Sequence, residues 1–449
     1  MKGPLTCFKA YDVRGRVPEE LDEERCFRIG RAAVEVLGAS RVVVGRDVRL
    51  SSPPLAEALA AGAAAAGCAV AELGLCGTEE VYFATFAGGF DAGFMVTASH
   101  NPADYNGIKL VGPGARPLGG EELAAIRRRA EGADFPAPAR RGPRRPLRCA
   151  DAYLDHLLGY VRADRLAPLT IVTNAGNGGA GRVVDLLEDA LPFRFVKVHH
   201  EPDGRFPNGV PNPLLPDRRQ DTAAAVQAAG ADFGVAWDGD FDRCFFFDET
   251  GAFVEGYYLV GLLAAAFLER EPGGAVVHDP RLLWNTREVV ARAGGRAVQS
   301  RTGHAFVKAA MRAADAVYGG EMSAHHYFRD FAYCDSGMIP WLMVAELLCR
   351  AERPLSALLA EAIAAFPCSG EINLSVADPR AALARVAAHY AAAGGEIESP
   401  DGISCTFPRW RFNLRASNTE PLLRLNVESR GDRALVERKV AEIVALASA

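Results

Sequence analysis

The chain has 449 residues, a net charge of −6, 49% apolar residues and 24% charged residues. These values are typical of a soluble globular protein of three or four domains, and they exclude the strongly basic surface of a nucleic-acid-binding protein. We expect no secretory signal, because "MKGPLTCFKAYDVRG" lacks an apolar core, and no membrane span, because the apolar run "ALAAGAAAAGCAV" is short and rich in Ala and Gly. The ten cysteines form no C-x-x-C pair, which favours reduced thiols in the cytoplasm over a disulfide framework or a zinc site.

Three stretches of the sequence share one pattern: a short β-branched strand, a polar loop, a helix rich in Ala, Leu and Val, and a second strand. They begin at Arg41, Leu169 and Gly274. The Pro- and Arg-rich stretch 135–149 indicates a linker after the first of them, and the alternating segment "GEINLSV" begins a tail of different character. The sequence therefore predicts an α/β protein with three related mixed α/β domains plus a smaller α+β C-terminal domain. The predicted domains are 1–148, 149–250, 251–366 and 367–449.

The first predicted domain contains two candidate contacts for phosphate. Arg14, in "FKAYDVRG", lies beside Gly15 and could reach an anion. Ser99 lies in "TASHNP" (97–102), a tight Asn-Pro turn without a neighbouring pattern that would activate a serine as a nucleophile. A phosphoserine needs no such activation, because it donates its phosphoryl group instead. The alternative is an Asn-Pro turn with an incidental serine.

In the second predicted domain, Asp238, Asp240 and Asp242 alternate along "WDGDFDRCFFFDE" (237–249). An extended segment would point all three carboxylates to one side, and three hard oxygen ligands suit Mg²⁺. An EF-hand calcium loop fits less well, because Arg243 occupies the position that needs glycine and the buried strand "CFFF" follows. The remaining alternative is a solvated acidic turn. Three like charges this close repel one another unless a cation offsets them, which favours a metal site.

Two loops in the second half of the chain carry residue types that bind sugars and phosphates. In "GGEMSAHHYF" (319–328), Glu321 and Ser323 can face one cavity and pair with vicinal hydroxyls, while His325 or His326 could bind phosphate or carry protons. In "LRASNTEPLLR" (414–424), a guanidinium, two hydroxyls and an amide form a candidate anion cradle. A polar surface loop and a hydrophilic hairpin turn are the respective alternatives. The residues of the cradle are Arg415, Ser417, Asn418 and Thr419.

In this order, the five segments resemble the α-D-phosphohexomutase family, and the resemblance runs from "KAYDVRG" to "RASNTEP". Family members have four domains around a central cleft, and each domain contributes one loop. The resemblance implies a reaction that interconverts mannose 6-phosphate and mannose 1-phosphate through a phosphoserine and a hexose 1,6-bisphosphate, which also serves as activator. The sugar loop with Met322 is similar to that of bacterial members that handle mannose and glucose phosphates rather than glucosamine phosphate.

The resemblance also implies a role for each matched residue. Ser99 is the phosphoserine, and Mg²⁺ binds to the three aspartates and to the phosphate of Ser99. Glu321 and Ser323 bind sugar hydroxyls, and the 415–419 cradle binds the phosphate that does not react. The remaining residues are Arg14, Lys109, His325 and His304 as candidates for catalysis, and Tyr11, Arg243, Arg281 and again His325 for substrate binding.

Four positions depart from the commonest family pattern. Ala98, Phe241 and Ala324 replace frequent glycines, and we expect none of them to move the chemistry. Arg281 replaces a frequent lysine, and its guanidinium can bind phosphate but cannot transfer a proton. Only six of the 50 basic residues are lysines, so Lys109 in "NPADYNGIKL" is a candidate for a proton transfer that arginine could not perform.

Other functions stay open on these motifs. A mutase with dual specificity for mannose and glucose phosphates fits them equally. A phosphatase with a phosphoserine intermediate would not need the second phosphate cradle, and a non-catalytic sugar-phosphate sensor could dispense with Ser99 or with the aspartates. We expect a cytoplasmic monomer or homodimer whose partners are small hexose phosphates, not nucleic acid or membrane.

Overall fold

The computed structural model describes residues 4–9, 11–132, 134–135, 140–399, 401–416 and 422–448. The chain divides into two compact units, residues 1–253 with 325–352 and residues 254–324 with 353–449. Within the described part of the chain, no helix combines the length and the apolar character that crossing a membrane requires.

The first unit begins with a six-stranded mixed sheet. Its strands are β1 (Val13–Arg16), β2 (Arg41–Arg46), β3 (Ala69–Leu75), β4 (Ala92–Val96), β5 (Tyr105–Val111) and β6 (Arg144–Pro146), in the order β1-β5-β4-β2-β3-β6. The β-branched run "RVVVGR" of β2 suits a buried central strand, and only β5 runs antiparallel to its neighbours. The accompanying helices are α1 (Glu23–Leu37), α2 (Ser52–Ala65), α3 (Thr78–Ala87) and α4 (Gly120–Gly132).

Local sequence sets the ends and the packing of α1. The side chain of Asp22 caps its first turn by accepting a 2.7 Å hydrogen bond from the Arg25 amide. Gly38 ends the helix at a φ of 62°, which glycine adopts without strain. At the crossing with α2, a Cβ on Gly30 would lie 2.2 Å from the carbonyl oxygen of Leu59. Glycine therefore permits the close contact between the two helices.

The first unit also contains a second sheet. Its strands β7 (Thr170–Asn174), β8 (Arg194–Val198), β9 (Phe233–Trp237) and β10 (Cys244–Phe247) lie in the order β10-β9-β7-β8, and β11 (Phe253–Val254) lies where the first unit meets the second along the chain. β7 runs parallel to both β8 and β9, and β10 returns antiparallel to β9. The helices are α5 (Ala150–Leu158), α6 (Ala180–Glu188) and α7 (Gln220–Ala229).

The second unit contains a parallel sheet and an antiparallel sheet. In the parallel sheet, β12 (Ala275–His278) pairs with β13 (Arg296–Gln299) and β14 (Tyr318–Gly320), near helices α8 (Gly256–Arg270), α9 (Trp284–Arg292) and α10 (His304–Ala314). Residues 325–352 belong to the first unit again. They form the antiparallel strand pair β15 (His326–Phe328) and β16 (Cys334–Asp335), followed by helix α11 (Ile339–Ala351). The chain returns to the second unit at α12 (Leu355–Ala365).

The C-terminal part of the second unit is an antiparallel sheet with the order β17-β21-β20-β19-β18. Alternating apolar residues of its central strands, such as Phe412 and Leu414, form a buried core with the two helices. The elements are β17 (Ile372–Ser375), α13 (Pro379–Ala392), β18 (Glu396–Glu398), β19 (Ile403–Thr406), β20 (Trp410–Ala416), β21 (Leu422–Ser429) and α14 (Arg433–Ser448).

The three repeats predicted from the sequence are confirmed. They are β2-α2-β3, β7-α6-β8 and β12-α9-β13, and the two strands of each run parallel to one another. The linker prediction for 135–149 is wrong at 144–146, which form β6. Arg144 fixes this strand, because its guanidinium pairs with Glu57 at 2.5 Å and with Glu72 at 2.8 Å. Residues 136–139 lie outside the described part of the chain.

Candidate active site

Ser99 lies in the turn that follows β4, where 4% of its surface is exposed. Its φ of 50° is in the left-handed region, which residues other than glycine seldom adopt. The Ser99 amide holds the turn locally by donating a 2.9 Å hydrogen bond to Oγ1 of Thr97. The Ser99 hydroxyl donates a 2.5 Å hydrogen bond to Oδ2 of Asp238. The serine turn and the aspartate loop are therefore in direct contact.

The three aspartates lie in the tight connection between β9 and β10. The sequence predicted an extended segment there, and that prediction is wrong. The loop is a turn, in which the Phe241 amide donates a 3.1 Å hydrogen bond to the Asp238 carbonyl and Phe241 has a φ of 46°. The turn still brings one oxygen of Asp238, Asp240 and Asp242 to within 4.8 Å of one another. All three side chains are buried, so their charges interact strongly.

Two of the residues that depart from the pattern expected from the resemblance lie in the backbone region that favours glycine. Phe241 and Ala324 have φ values of 46° and 70°. The Phe241 ring is fully buried, and a Cβ on Gly77 would lie 2.1 Å from its Cζ atom. A glycine at 77 therefore makes room for the aromatic ring at 241.

Two cations offset part of the negative charge of the three aspartates. The Lys109 ammonium lies 2.7 Å from Asp240 and 2.5 Å from Asp242, and the Arg243 guanidinium lies 2.7 Å from Asp238. Burial and the neighbouring charge of Asp240 raise the pKa of Asp242 above its ordinary value. Burial opposes the charged form of Lys109, but Asp240 and Asp242 together raise its pKa above the ordinary value.

The aspartate cluster fits a hard cation such as Mg²⁺. Oδ1 of Asp238, Asp240 and Asp242 is buried without a hydrogen-bond partner among the described residues. Burying a carboxylate oxygen without a hydrogen-bond partner raises the free energy of the folded protein. Several such oxygens close together form the ligand set that Mg²⁺ prefers. A second set, Asp242 with His325 and Asp335, also brings its donor atoms within 4.8 Å of one another. The residues present therefore support the predicted metal.

Two arginines predicted from the sequence reach the serine turn. Nη1 of Arg14 donates a 2.6 Å hydrogen bond to Oδ1 of Asn101. Nη2 of Arg243 donates a 3.1 Å hydrogen bond to the Ser99 hydroxyl. Each guanidinium is also paired with a carboxylate, Arg14 with Asp12 at 2.7 Å and Arg243 with Asp238 at 2.7 Å. Both therefore bring N–H groups to this turn, where a phosphate could accept from them. Tyr11 is half-buried in the bend before β1.

His100 also contacts the serine hydroxyl, and the sequence motifs assigned it no role. Its Nδ1 lies 3.0 Å from Oγ of Ser99 and hydrogen-bonds to Nη2 of Arg243. Burial and the positive charge of Arg243 hold the pKa of His100 well below its usual range. The imidazole is therefore neutral beside the hydroxyl. Its position directly after Ser99 in "TASHNP" was the one available signal.

His325 faces the aspartates of the first unit. Its Nδ1 lies 2.9 Å from Asp335 and 3.9 Å from Asp242. Burial opposes protonation, but these two carboxylates together raise the pKa of His325 above its ordinary value. His326 differs, because burial lowers its pKa to about 3. Of the two neighbouring histidines, His325 is therefore the one whose surroundings favour the charged form.

In the second unit, Arg281 gathers the predicted sugar-binding residues. Its Nη2 donates to the Ser323 hydroxyl at 3.1 Å and lies 3.4 Å from Oε1 of Glu321. The Gly303 amide donates a 3.0 Å hydrogen bond to the same Glu321 oxygen. His304, which begins α10, follows directly after this amide. Glu321 and Ser323 are thus brought together at one guanidinium.

The Arg281 guanidinium is surrounded by carboxylates. Besides Glu321, it pairs with Asp279 at 2.6 Å and with Glu371 at 3.3 Å. Glu371 also lies 3.3 Å from Arg415 and 3.5 Å from Arg424. Arg281 and Arg415, both predicted to bind phosphate, thus share the carboxylate of Glu371. Ser417, Asn418 and Thr419 lie outside the described residues.

Family profiles match all four parts of the chain. The phosphoglucomutase/phosphomannomutase alpha/beta/alpha domains I, II and III match residues 6–137, 151–251 and 255–366, and the C-terminal domain matches 371–446. The chain belongs to the phosphoglucomutase/phosphomannomutase family. The predicted fold class and the predicted class of enzyme, a phosphotransferase isomerase, are confirmed by this membership.

Relatives in the family are similar over almost the whole chain. The phosphomannomutase of Salmonella typhimurium is 59% identical, and that of Escherichia coli K12 is 57% identical; each match covers 98% of this chain and 99% of the relative. A Xanthomonas campestris protein named "Phosphohexose mutases" is 60% identical, and the match covers 98% of this chain and 98% of the relative.

Solved structures agree with this fold. A phosphoglucomutase/phosphomannomutase family protein from Burkholderia thailandensis is 33% identical with a TM-score of 0.87, covering 98% of this chain and 97% of that one. An N-acetylphosphoglucosamine mutase from Aspergillus fumigatus, solved with GlcNAc-6P and magnesium, is 15% identical with a TM-score of 0.63, covering 98% and 95%. The latter likeness concerns the fold alone.

Proposed function

We propose that this chain interconverts mannose 6-phosphate and mannose 1-phosphate, with glucose phosphates as the alternative substrates. The observation that carries the proposal is the 2.5 Å hydrogen bond between the Ser99 hydroxyl and Asp238, inside a cluster of buried carboxylates. The relatives from Salmonella and Escherichia are named phosphomannomutase, which favours mannose phosphates.

The proposed reaction transfers one phosphoryl group in each of two steps. A phosphate on Ser99 passes to the free hydroxyl of the sugar phosphate, so the bond to the serine oxygen breaks and the bond to the sugar oxygen forms. The product of this step is a hexose 1,6-bisphosphate, and the same compound added in trace amounts would phosphorylate Ser99 and act as activator. The bisphosphate then rotates end over end in the site, and its other phosphate is transferred back to the serine oxygen.

Asp238, Asp240 and Asp242 would hold Mg²⁺, and the phosphate of Ser99 would complete its ligands. A bound Mg²⁺ supplies neutralisation of the phosphate charge during transfer. Arg243 contributes positive charge from the protein side, since its guanidinium already contacts the Ser99 hydroxyl. His100, held neutral beside that hydroxyl, presents Nδ1 as an acceptor there, because the same nitrogen accepts from the Arg243 guanidinium.

A proton must leave the attacking sugar hydroxyl and reach the departing oxygen. Lys109 is our first candidate, and Arg14, His325 and His304 are the others. Lys109 is held as an ammonium between Asp240 and Asp242, which places a proton donor inside the aspartate cluster. The two carboxylates raise its pKa, so it would give its proton only to a strongly basic acceptor, such as the oxygen that leaves the phosphate with developing negative charge.

The second unit would bind the rest of the substrate. We assign Glu321 and Ser323 to sugar hydroxyls, because Arg281 holds both in one place. The non-reacting phosphate would be bound by Arg415, Ser417, Asn418 and Thr419, with Tyr11, Arg243, Arg281 and His325 as further contacts. The same proposal includes the domain boundaries 1–148, 149–250, 251–366 and 367–449, a monomer or homodimer, and a cytoplasmic location.

One assay separates the proposed mutase from its rivals. The protein is incubated with mannose 1-phosphate, Mg²⁺ and a trace of hexose 1,6-bisphosphate. A mutase forms mannose 6-phosphate, a phosphatase releases inorganic phosphate, and a sugar-phosphate sensor forms neither. Equal turnover with glucose 1-phosphate would make the enzyme a dual-specificity phosphomannomutase/phosphoglucomutase.

A further inference from the structure

Arg49 binds four backbone carbonyls of the serine turn. Nη2 donates to the carbonyls of Ser99 at 2.9 Å and of Asn101 at 2.6 Å. Nη1 donates to those of Pro102 at 2.7 Å and of Tyr105 at 2.9 Å. The arginine is 1% exposed, so these bonds form away from bulk water. The Arg49 side chain therefore supplies the hydrogen bonds that a neighbouring strand would otherwise give to the backbone between β4 and β5.

Buried polar groups behind Arg49 hold the guanidinium in place. Oδ2 of Asp47 forms an ion pair with Nε of Arg49 at 3.3 Å. Oδ1 of Asp47 accepts hydrogen bonds from the Arg49 amide at 3.0 Å and from the Ser52 hydroxyl at 2.5 Å. Nδ2 of Asn106 donates to the same hydroxyl at 2.9 Å. These partners come from the segment after β2 and from β5, the two strands on either side of β4 in the sheet.

The geometry of these bonds fixes the backbone rather than the hydroxyl. A guanidinium presents its N–H groups in one rigid plane, so the four carbonyls must keep a set spacing. The Ser99 carbonyl is one of the four, so the backbone of Ser99, with its φ of 50°, is held as well. The Ser99 hydroxyl is contacted by Asp238, Arg243 and His100, and Arg49 touches only its carbonyl.

We propose that Arg49 is a positioning residue for phosphoryl transfer: it holds the serine turn so that the phosphate on Ser99 stays aligned with its acceptor. This inference rests on the proposed mutase reaction. Arg49 does not contact the reacting atoms, and no part of the resemblance assigned it a role. A lysine at this position keeps the charge but directs one ammonium at the carbonyls, so the turn loses its fixed spacing.

Arg28 provides a matched control. It is also a buried arginine of the first unit, with 6% exposure, and it donates to the carbonyls of Ala130 at 2.8 Å and Glu131 at 3.1 Å. These carbonyls end α4 and lie outside the candidate site. Arg28→Lys therefore reports the general cost of losing a buried guanidinium that binds backbone oxygens.

The experiment compares Arg49→Lys, Arg28→Lys and wild type in full-length protein with Mg²⁺. Thermal midpoints, kcat and KM for mannose 1-phosphate are measured, together with the rate at which phosphate is lost from phosphorylated Ser99 to water, followed by intact mass. For Arg49→Lys we expect kcat to fall by about 100-fold with KM within about twofold, since misplacing reacting groups by about 1 Å has this effect. We also expect the phosphoserine lifetime to change by at least about threefold, while Arg28→Lys keeps wild-type kcat and lifetime.

The positioning role is overturned if Arg49→Lys retains wild-type kcat and phosphoserine lifetime, or if both variants lose activity in proportion to their thermal midpoints. If Arg49→Lys does not fold, Asp47→Asn tests the same point by loosening Arg49. A fall of kcat of about tenfold supports the role, and an unchanged kcat overturns it. Failure of the wild type to form mannose 6-phosphate would instead reject the proposed function, so the two failures are distinct.

Discussion

The hydroxyl of Ser99 and the carboxylate of Asp238 are 2.5 Å apart, although 139 residues separate them in the chain. The contact joins the turn after β4 to the loop between β9 and β10, and it places a serine against three buried aspartates. A phosphate on this serine would therefore lie beside the candidate Mg²⁺ ligands.

Replacing Asp238 tests the metal site. Asp238→Asn keeps an acceptor for the Ser99 hydroxyl but removes one negative charge from the cluster. We expect the affinity for Mg²⁺, measured by isothermal titration calorimetry, to fall by about 100-fold, and kcat at saturating Mg²⁺ to fall as well. Asp217→Asn, at a side chain that is 70% exposed, is the matched control. Unchanged Mg²⁺ binding by Asp238→Asn would place the metal elsewhere.

Lys109→Arg tests the proton-transfer role. Arginine keeps a positive charge between Asp240 and Asp242 but does not give up its proton. We therefore expect kcat to fall by about 100-fold or more, with a changed pH profile, because general acid–base catalysis contributes effects of about this size. Full turnover with an unchanged pH profile would remove Lys109 from this role and leave His325 and His304 as candidates.

Arg281→Lys tests the arrangement of the sugar loop. A lysine cannot hold Ser323 and Glu321 at once while pairing with Asp279, so we expect KM for mannose 1-phosphate to rise by about tenfold. Steady-state kinetics measure this change. Arg287→Lys replaces an exposed arginine of α9 that bonds only to a glutamine side chain in the described contacts, and it should leave KM unchanged. Equal KM values for wild type and Arg281→Lys would contradict the assignment.

Glu79 gives a prediction about stability and pH. Its carboxylate is buried in α3, accepts hydrogen bonds from the amides of Gly337 at 2.6 Å and Met338 at 3.2 Å, and bonds to the Tyr153 hydroxyl. Burial raises the pKa of Glu79 from its ordinary value of 4.5 to about 8, against the opposing effect of these hydrogen bonds. Between these two values the folded protein binds more protons than the unfolded chain, so its stability decreases as pH rises.

Glu79→Gln should remove this pH dependence, because the amide is neutral and has the same shape. Relative to the variant, wild type should lose up to about 1.4 kcal/mol of unfolding free energy per pH unit between pH 4.5 and pH 8. Thermal midpoints measured across this range report the difference. Glu57→Gln is the control, since its ion pair with Arg144 lowers the pKa of Glu57 and moves its titration below this range. Parallel curves for wild type and Glu79→Gln would contradict the prediction.

Much of the architecture was readable in the sequence because it depends on local patterns. The β-branched runs at 41–46, 170–174 and 275–278 each precede a helix and a second parallel strand, as expected. Ser99 and the aspartates were candidates from the sequence, because three alternating carboxylates favour a metal site and the serine turn fits the resemblance to the family. The structure brings the serine and the aspartate loop into contact.

The remaining features depend on contacts between distant residues. The aspartates converge through a turn and not through an extended strand, since Phe241 adopts a positive φ that no local pattern predicted. Residues 144–146 form the strand β6 within a stretch that composition assigned to a linker. The ion pairs of Arg144 with Glu57 and Glu72, both distant in the sequence, stabilise this strand. Arg49 looked like one of many arginines, and only the fold shows the four carbonyls that it binds.

The most direct measurement follows a labelled phosphate through Ser99. Protein is incubated with Mg²⁺ and ³²P-labelled hexose 1,6-bisphosphate, digested, and examined for the peptide that contains residues 97–102; a second sample is then chased with unlabelled mannose 1-phosphate. We predict label on Ser99 that moves into hexose phosphate during the chase, and neither label nor turnover in Ser99→Ala. Wild-type turnover by Ser99→Ala, with no labelled serine in the active enzyme, would contradict phosphoryl transfer through this residue.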